Sequence, residues 1–372
     1  MKITGAKVFE ARGGFVERDL YIDNELISAR DCGGEVLDAG GLVAIPGLTD
    51  VHFHGCVGHD VSDGDAEGLA AIADYQLSRG VTQICPAGMT LLEDQLVKVC
   101  ENVAAHKASG KSGAELVGLH LEGPFLSLAK KGAQNGDWLH SPDVDLMRRL
   151  EKAAGGLVKI VSIAPEEPGA MDFIRAVSDE VTVSIAHTTA DYDTATAAFA
   201  AGARHVTHLY NAMPAFTHRA PGVIGAAFDN PDCRVELICD GVHIHPAVVR
   251  ATFKMFGADR MVLVSDTMRA AGMPDGGYTL GGQDVDKKGR HATLKDGTLA
   301  GSATDLMDCM KTAVSFGIPL ADAVRAAAVN SAKSIGIYSR YGSLDTGKQA
   351  NIVLLDRELN VKKIIFKGKV VS

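Results

Sequence analysis

The 372-residue sequence predicts an α/β fold: a (β/α)8 TIM barrel with a small β-sandwich domain formed by both termini. The first sign is an alternation, from about residue 47 onward, of short β-branched apolar runs with longer Ala- and Leu-rich segments of helical spacing. The second is the number of those runs. They are Leu48–His52, Val81–Cys85, Leu116–Leu121, Val158–Ile163, Val181–Ala186, His205–Thr207, Val235–Cys239 and Met261–Ser265, and eight is the number that closes a parallel barrel. The third is the behaviour of the ends, where segments such as Lys2–Phe9 and Ile364–Val371 read as short alternating strands. Neither end could bury a core by itself, so residues 1–46 and 348–372 are expected to pair as one small β domain beside a barrel of residues 47–347.

Between the runs, Ala66–Ser78, Glu93–Ala108 and Thr194–Ala201 carry the spacing of helices, and Gly202 supplies a C-terminal stop for the last. The segment Pro274–Gly301 departs from this rhythm. It is dense in Gly and Asp, with turn signals at Asp275-Gly276 and Asp296-Gly297, and is expected to form a hairpin near the barrel mouth.

Composition removes several classes of function. A formal charge of -9 and a pI near 5.8 disfavour polyanion binding, and Lys130-Lys131 and Lys287-Lys288 are too short for a basic stripe, so no nucleic-acid partner is expected. No apolar stretch approaches the roughly 18 residues a bilayer helix requires, and the N-terminus lacks a signal-peptide layout. The expectation is a cytoplasmic protein with no membrane partner. Seven cysteines without Cys-x-x-Cys spacing suit reduced thiols in a packed intracellular protein; Cys56, Cys85 and Cys239 fall at strand ends, where packing is the expected role. Gly110-Lys111-Ser112 is read as a solvated turn, because Ala105 stands where a phosphate-binding loop needs its first glycine.

The chemistry is announced by Pro46–Gly55. His52 and His54 are separated by one residue at the end of a strand and therefore point the same way, as metal ligands do. The polar residues that end other runs extend the pattern: Glu122 after the third, His187 after the fifth, His208 after the sixth and Asp266 after the eighth. A lone histidine in a barrel usually packs or hydrogen-bonds, and His120, His205, His59, His140 and His218 are expected to be solvated or packed. Six metal-capable or acidic residues at the C-terminal ends of five strands would instead meet on one rim. Imidazoles with carboxylates suit Zn, Fe or a similar divalent ion, and the lack of a thiolate cluster disfavours a closed structural site. Hydrolysis, with Asp266 free to act as base, is the expected chemistry.

These residues resemble, over nearly the whole chain, the N-acetylglucosamine-6-phosphate deacetylases of the amidohydrolase superfamily. The likeness rests on Pro46-Gly47 with His52-Phe53-His54-Gly55, His120-Leu121-Glu122-Gly123-Pro124-Phe125, Lys130-Lys131-Gly132-Ala133, Ala186-His187-Thr188, His208-Leu209-Tyr210-Asn211-Ala212-Met213, Asp240-Gly241-Val242-His243, Ser265-Asp266 and Leu299-Ala300-Gly301-Ser302. It implies Glu122, His187 and His208 as ligands of the catalytic metal and Asp266 as catalytic acid/base. With both His52 and His54 present, it allows a second ion bridged by Glu122, hence one or two ions per subunit. It implies substrate contacts from Ala133, Asn211, Ala212, His243, Leu299, Ala300 and Gly301, and a homodimer in which Arg219 reaches the sugar phosphate in the neighbouring subunit. Gln134 departs from the pattern, because the family carries there a histidine that helps polarise the substrate carbonyl; the glutamine is assigned to substrate contact only. The implied partner is a phosphorylated N-acetyl amino sugar. N-acetylgalactosamine-6-phosphate is the competing substrate, because one inverted hydroxyl changes few contacts. A dihydroorotase-like activity fits less well, since no carbamylated lysine has a counterpart here. A catalytically silent assembly protein would be expected to have lost ligands that this chain retains.

Overall fold

Eight parallel strands curl into a TIM-like barrel in the computed structural model, which describes residues 1–372. In chain order they are Leu48–Asp50, Val81–Ile84, Glu115–Leu116 continued by Leu119–Leu121, Val158–Ile163, Thr182–Ile185, His205–Val206, Arg234–Ile238 and Met261–Val264. Each pairs in parallel with the next. The third strand was read from the sequence as one run and is broken at Val117-Gly118. A Cβ at Gly118 would lie 2.3 Å from Lys159 Cγ, so the break sits at a close approach that only glycine permits.

The eighth and first strands meet just beyond their ladders. Asp266 N–H donates to His52 O (2.9 Å), and His54 N–H donates to Thr267 O (2.7 Å). The expected helices appear as Ala66–Ser78, Glu93–Ser109 and Tyr192–Ala201. Asp65 caps the first through the amides of Glu67 and Gly68, and Asp191 caps the third through Thr194 N–H. Between strands and helices lies the main apolar core, which includes Leu48, Val81, Leu119, Ile163, Ile185, Val206, Leu237 and Leu263. No helix is long and apolar enough to cross a membrane.

Strands from both ends of the chain form two further sheets. One holds Lys2–Thr4, Leu20–Asp23, Leu26–Ser28 and Val36–Asp38; the other joins Lys7–Glu10, Gly14–Glu17 and Val43–Pro46 to Ile352–Leu355, Val361–Phe366 and Lys369–Val370. The antiparallel pairing of Val43–Pro46 with Ile352–Leu355 ties the two termini together. Ile3, Leu20 and Ile22 of one sheet pack with Val8, Ile352, Leu354 and Ile365 of the other in a separate apolar cluster. The segment expected as a hairpin is a three-stranded antiparallel sheet, Gly276–Leu280, Gln283–Lys288 and His291–Leu294. It does sit at the mouth: Gln283 donates to the Ala133 carbonyl at 2.5 Å.

All seven cysteines are unpaired, and all but Cys32 are buried. Gly110, Lys111 and Ser112 are exposed at the end of a helix, as their reading as a turn requires.

Candidate active site

The backbone itself marks the site. His187, His208 and Asp266 each lie two residues beyond the last residue of a barrel strand, and each is left-handed, with φ of 41°, 30° and 48°. Such a conformation costs a non-glycine residue on the order of 1–3 kcal/mol and persists where the surroundings impose it. The side chains of His187 and His208 meet Glu122, and that of Asp266 meets His54. His52 follows the first strand and Glu122 the third, and the five side chains converge at the C-terminal rim.

Glu122 is the hub. Its Oε1 lies 3.2 Å from His187 Nε2, 3.0 Å from His208 Nε2 and 3.4 Å from His52 Nε2, while Oε2 lies 3.2 Å from His54 Nε2. The two nitrogens of His187 and His208 are 3.1 Å apart. Across the site, Asp266 Oδ1 stands 3.3 Å from His54 Nε2 and 3.7 Å from His52 Nε2. Three buried groups of potential ligands result: Glu122–His187–His208, His52–His54–Asp266 and His52–His120–Glu236.

The tautomers test whether these groups suit a cation. His187 Nδ1 faces the Lys130 carbonyl (2.8 Å), His54 Nδ1 the Ala87 carbonyl (3.0 Å) and His52 Nδ1 the Glu236 carboxylate (2.8 Å). Each Nδ1 therefore donates, and each Nε2 can turn a lone pair toward the centre, the arrangement of metal-binding histidines. His52 Nε2 has no hydrogen-bond partner although it is buried. The triangle of Glu122, His187 and His208 also has suitable dimensions, since tetrahedral bonds of about 2.0–2.1 Å place neighbouring ligand atoms about 3.3 Å apart. The residues present fit a divalent ion.

Electrostatics lead to the same conclusion. Burial opposes the charge on Glu122, yet His52, His187 and His208 hold its carboxyl well below the usual carboxylate range. Asp266 is likewise kept low against burial by its hydrogen bond to His54. Burial would lower His54, but Asp266 and Glu122 outweigh it and raise the imidazole to about 10. Without a cation, the buried carboxylates thus hold protons on the His52 and His54 imidazoles, and metal binding at such a centre releases protons.

Below this layer lies a polar network that the sequence reading did not assign. Glu236, fully buried in the seventh strand, bonds His52. Asp50 accepts from Ser265 Oγ at 2.5 Å, and burial raises its carboxyl to about 7 despite that bond. Burial lowers His120 to about 3, and its Nε2 meets Ser162 Oγ at 2.8 Å in a hydrogen-bonded floor beneath the centre. His205 is buried in the same layer, while His140 and His218 are exposed and His59 is half-buried.

Above the ligands opens a cavity of about 360 Å³. His54, Glu122, His187, His208 and Asp266 line it together with Ala133, Gln134, Asn211, Ala212, His243, Leu299 and Gly301. Ala300 does not line it: its side chain packs among Met89, Met268 and Leu280, and its N–H donates to Ala292 O (3.0 Å). Arg219 is exposed on the 213–221 loop and is not among the lining residues. His243 is oriented by Asp240, with Nδ1 2.8 Å from Oδ2, and Asn211 Nδ2 donates to His208 O (3.1 Å). Gln134 is buried; its Nε2 donates to Glu122 Oε2 (2.8 Å), and its Oε1 accepts from Thr90 N–H (2.8 Å). The sequence reading also missed Met89, Lys130, Leu280 and Thr298 on the cavity wall.

Comparison with known proteins shows which family the chain resembles. The amidohydrolase family model matches residues 43–371. The N-acetylglucosamine-6-phosphate deacetylase of Bacillus subtilis (strain 168) is 39% identical over 333 residues, 88% of this chain and 84% of the relative. The N-acetylgalactosamine-6-phosphate deacetylase of Escherichia coli O157:H7 is 33% identical over 329 residues, 88% and 87% of the two chains. A mutant N-acetyl-D-glucosamine-6-phosphate deacetylase from Mycobacterium smegmatis, solved in complex with N-acetyl-D-glucosamine-6-phosphate, superimposes with a TM-score of 0.92 at 31% identity, covering 100% of this chain and 98% of that one. This chain belongs to the amidohydrolase family, with the N-acetylglucosamine-6-phosphate deacetylases among its relatives.

Proposed function

We propose that this protein hydrolyses the acetamide of N-acetylglucosamine-6-phosphate to glucosamine-6-phosphate and acetate. The observation that carries the reading is the contact of Glu122 Oε1 with Nε2 of both His187 and His208 on the floor of the cavity, with Asp266 facing His54 across it. Glu122, His187 and His208 would hold one divalent ion, zinc or iron, and His52, His54 and Asp266 a second that shares Glu122. An ion there supplies a Lewis acid that makes water more acidic and withdraws charge from the acetamide oxygen.

The protein's own groups supply the remaining steps. Asp266, ionised at neutral pH, takes a proton from the attacking water. It returns that proton to the sugar nitrogen, which would otherwise have to depart as an amide anion. Asn211, Ala212 and His243 line the cavity, where they can orient the sugar. Gln134, bonded to Glu122 and Thr90 at the cavity wall, steadies the Glu122 carboxylate. The two terminal sheets are read as one β-sandwich, residues 1–46 with 348–372, beside a catalytic barrel of 47–347. The unit is a cytoplasmic homodimer in which Arg219 reaches the neighbour's substrate phosphate. Its planar fork suits bidentate contact, and a reducing compartment suits seven unpaired thiols.

N-acetylgalactosamine-6-phosphate is the second reading, on the strength of the Escherichia coli relative. Acetate release from both 6-phosphorylated sugars, measured with zinc, with iron and with chelator, tests the proposal. Faster turnover of the gluco epimer that chelator abolishes is expected; faster turnover of the galacto epimer would favour the second reading, and no release from either would refute both.

A further inference from the structure

The seventh barrel strand carries a carboxylate where its neighbours Val235 and Leu237 are fully buried apolar residues. Glu236 is itself fully buried, and burying a carboxylate is costly unless its partners compensate. It has few partners, and all its hydrogen bonds fall on one oxygen. Oε2 lies 2.8 Å from His52 Nδ1 and accepts from the backbone N–H of His208 at 3.1 Å. Oε1 has no hydrogen-bond partner; His205 Nδ1 lies 3.7 Å from it. Alternation along the strand sends Val235 and Leu237 into the strand–helix core and Glu236 into the barrel, beside His52 and His205.

The two groups on Oε2 belong to opposite halves of the centre. His52 stands in the group with His54 and Asp266, and His208 in the group with Glu122 and His187. His208 Nδ1 has no partner, so its ring is aimed by the left-handed backbone, whose amide Glu236 holds. We infer that Glu236 is a positioning residue that sets both halves of the metal centre through a single oxygen, aiming His52 through its ring and His208 through its backbone. This rests on the proposal that the two groups hold divalent ions.

The test uses full-length protein stripped by chelator, titrated with Zn2+ by equilibrium dialysis and with Co2+ by visible absorption. Outer-shell partners of metal ligands typically contribute about 10–100-fold in affinity. Glu236→Gln, which keeps the shape and one acceptor oxygen, is expected to weaken Zn2+ binding by about 10-fold, and Glu236→Leu by nearer 100-fold. Both variants should shift the Co2+ absorption bands, a readout that a merely structural role would not move. Unchanged Zn2+ affinity and Co2+ spectrum in Glu236→Gln would overturn the inference even if Glu236→Leu fails to fold, and even if both variants melt lower. Wild-type protein that takes up neither ion would sink the metal reading itself and this inference with it, so the two failures are distinguishable.

Discussion

Replacing Asp266 by asparagine isolates the proton chemistry from the shape of the site. The amide is nearly isosteric and can still present oxygen to His54, 3.3 Å away in the native chain. It cannot accept and return a proton. A single positioned general acid or base contributes about 10²–10⁴-fold. Asp266 is assigned both the deprotonation of water and the protonation of the leaving nitrogen, so its loss should fall in the upper part of that range. We expect kcat to drop by about 10³–10⁴-fold, which is about 4–5 kcal/mol at 1.36 kcal/mol per tenfold. KM should change little, because Asn211, Ala212, His243, Leu299 and Gly301 line the cavity independently of this carboxylate.

A weaker ion site is the alternative cause of the same loss, since Asp266 Oδ1 also lies 3.7 Å from His52 Nε2 in the second ligand group. Steady-state rates measured by acetate release over a range of added Zn2+, alongside metal content, separate the two causes. If Asp266 is the base, excess ion restores occupancy and leaves kcat low. Recovery of kcat to within tenfold of wild type, with or without added ion, would refute its assignment.

Three further outcomes follow from the geometry. Gln134→Ala removes a 2.8 Å bond to Glu122 Oε2 and strands Thr90 N–H, so it should lower ion affinity and kcat together; an unchanged ion affinity would show that Glu122 needs no such support. Chelated protein should lose stability as pH rises: His54 is held near 10 against an ordinary value of 6.5, so its contribution is complete below 6.5 and disappears as pH climbs through about 10. That interval corresponds to at most about 5 kcal/mol at 1.36 kcal/mol per pH unit, and a melting temperature flat across it in chelator would contradict the reading. Arg219→Ala should raise KM by about 10–100-fold, the worth of about 1.5–3 kcal/mol of charge-assisted bonding; mixing it with Asp266→Asn protein should regain activity through hybrid dimers with one complete site, and no gain on mixing would argue against the shared site.

How far the sequence carries this structure depends on what each residue must do. The barrel was legible because parallel strands buried on both faces read as apolar runs, and the runs were counted correctly. The candidate site residues were legible for the same reason, as a polar residue at the end of such a run stands out: the side chains of His52, Glu122, His187, His208 and Asp266 converge. Glu236 escaped notice inside a run, although a carboxylate within Arg234–Ile238 was itself the signal. Ala300 was placed at the substrate because it belongs to a motif, but alternation along an extended strip sends Leu299 and Gly301 to the cavity and Ala300 to the core. The third strand of the 276–294 sheet was hidden because turn signals mark reversals and not how many strands lie between them.

The closure of the barrel and the assembly of its site are the same set of bonds. The amide of Asp266 donates to His52 O, that of His54 to Thr267 O, and that of His208 to Glu236. The first two close the gap between the last strand and the first, and all three fix a residue whose side chain faces the centre. Left-handed backbone at His208 and Asp266 is therefore held by contacts that the fold needs in any case. The same economy explains why the ligands sit just past the strand ends: two residues further back, a side chain would lie within the packed barrel, whereas further on, it would ride on a loop with no such bonds to hold it. Beneath the centre, the Glu236 carboxylate and the Ala87 carbonyl bond the rings of His52 and His54, and the strand-to-strand amides fix the backbone that carries them.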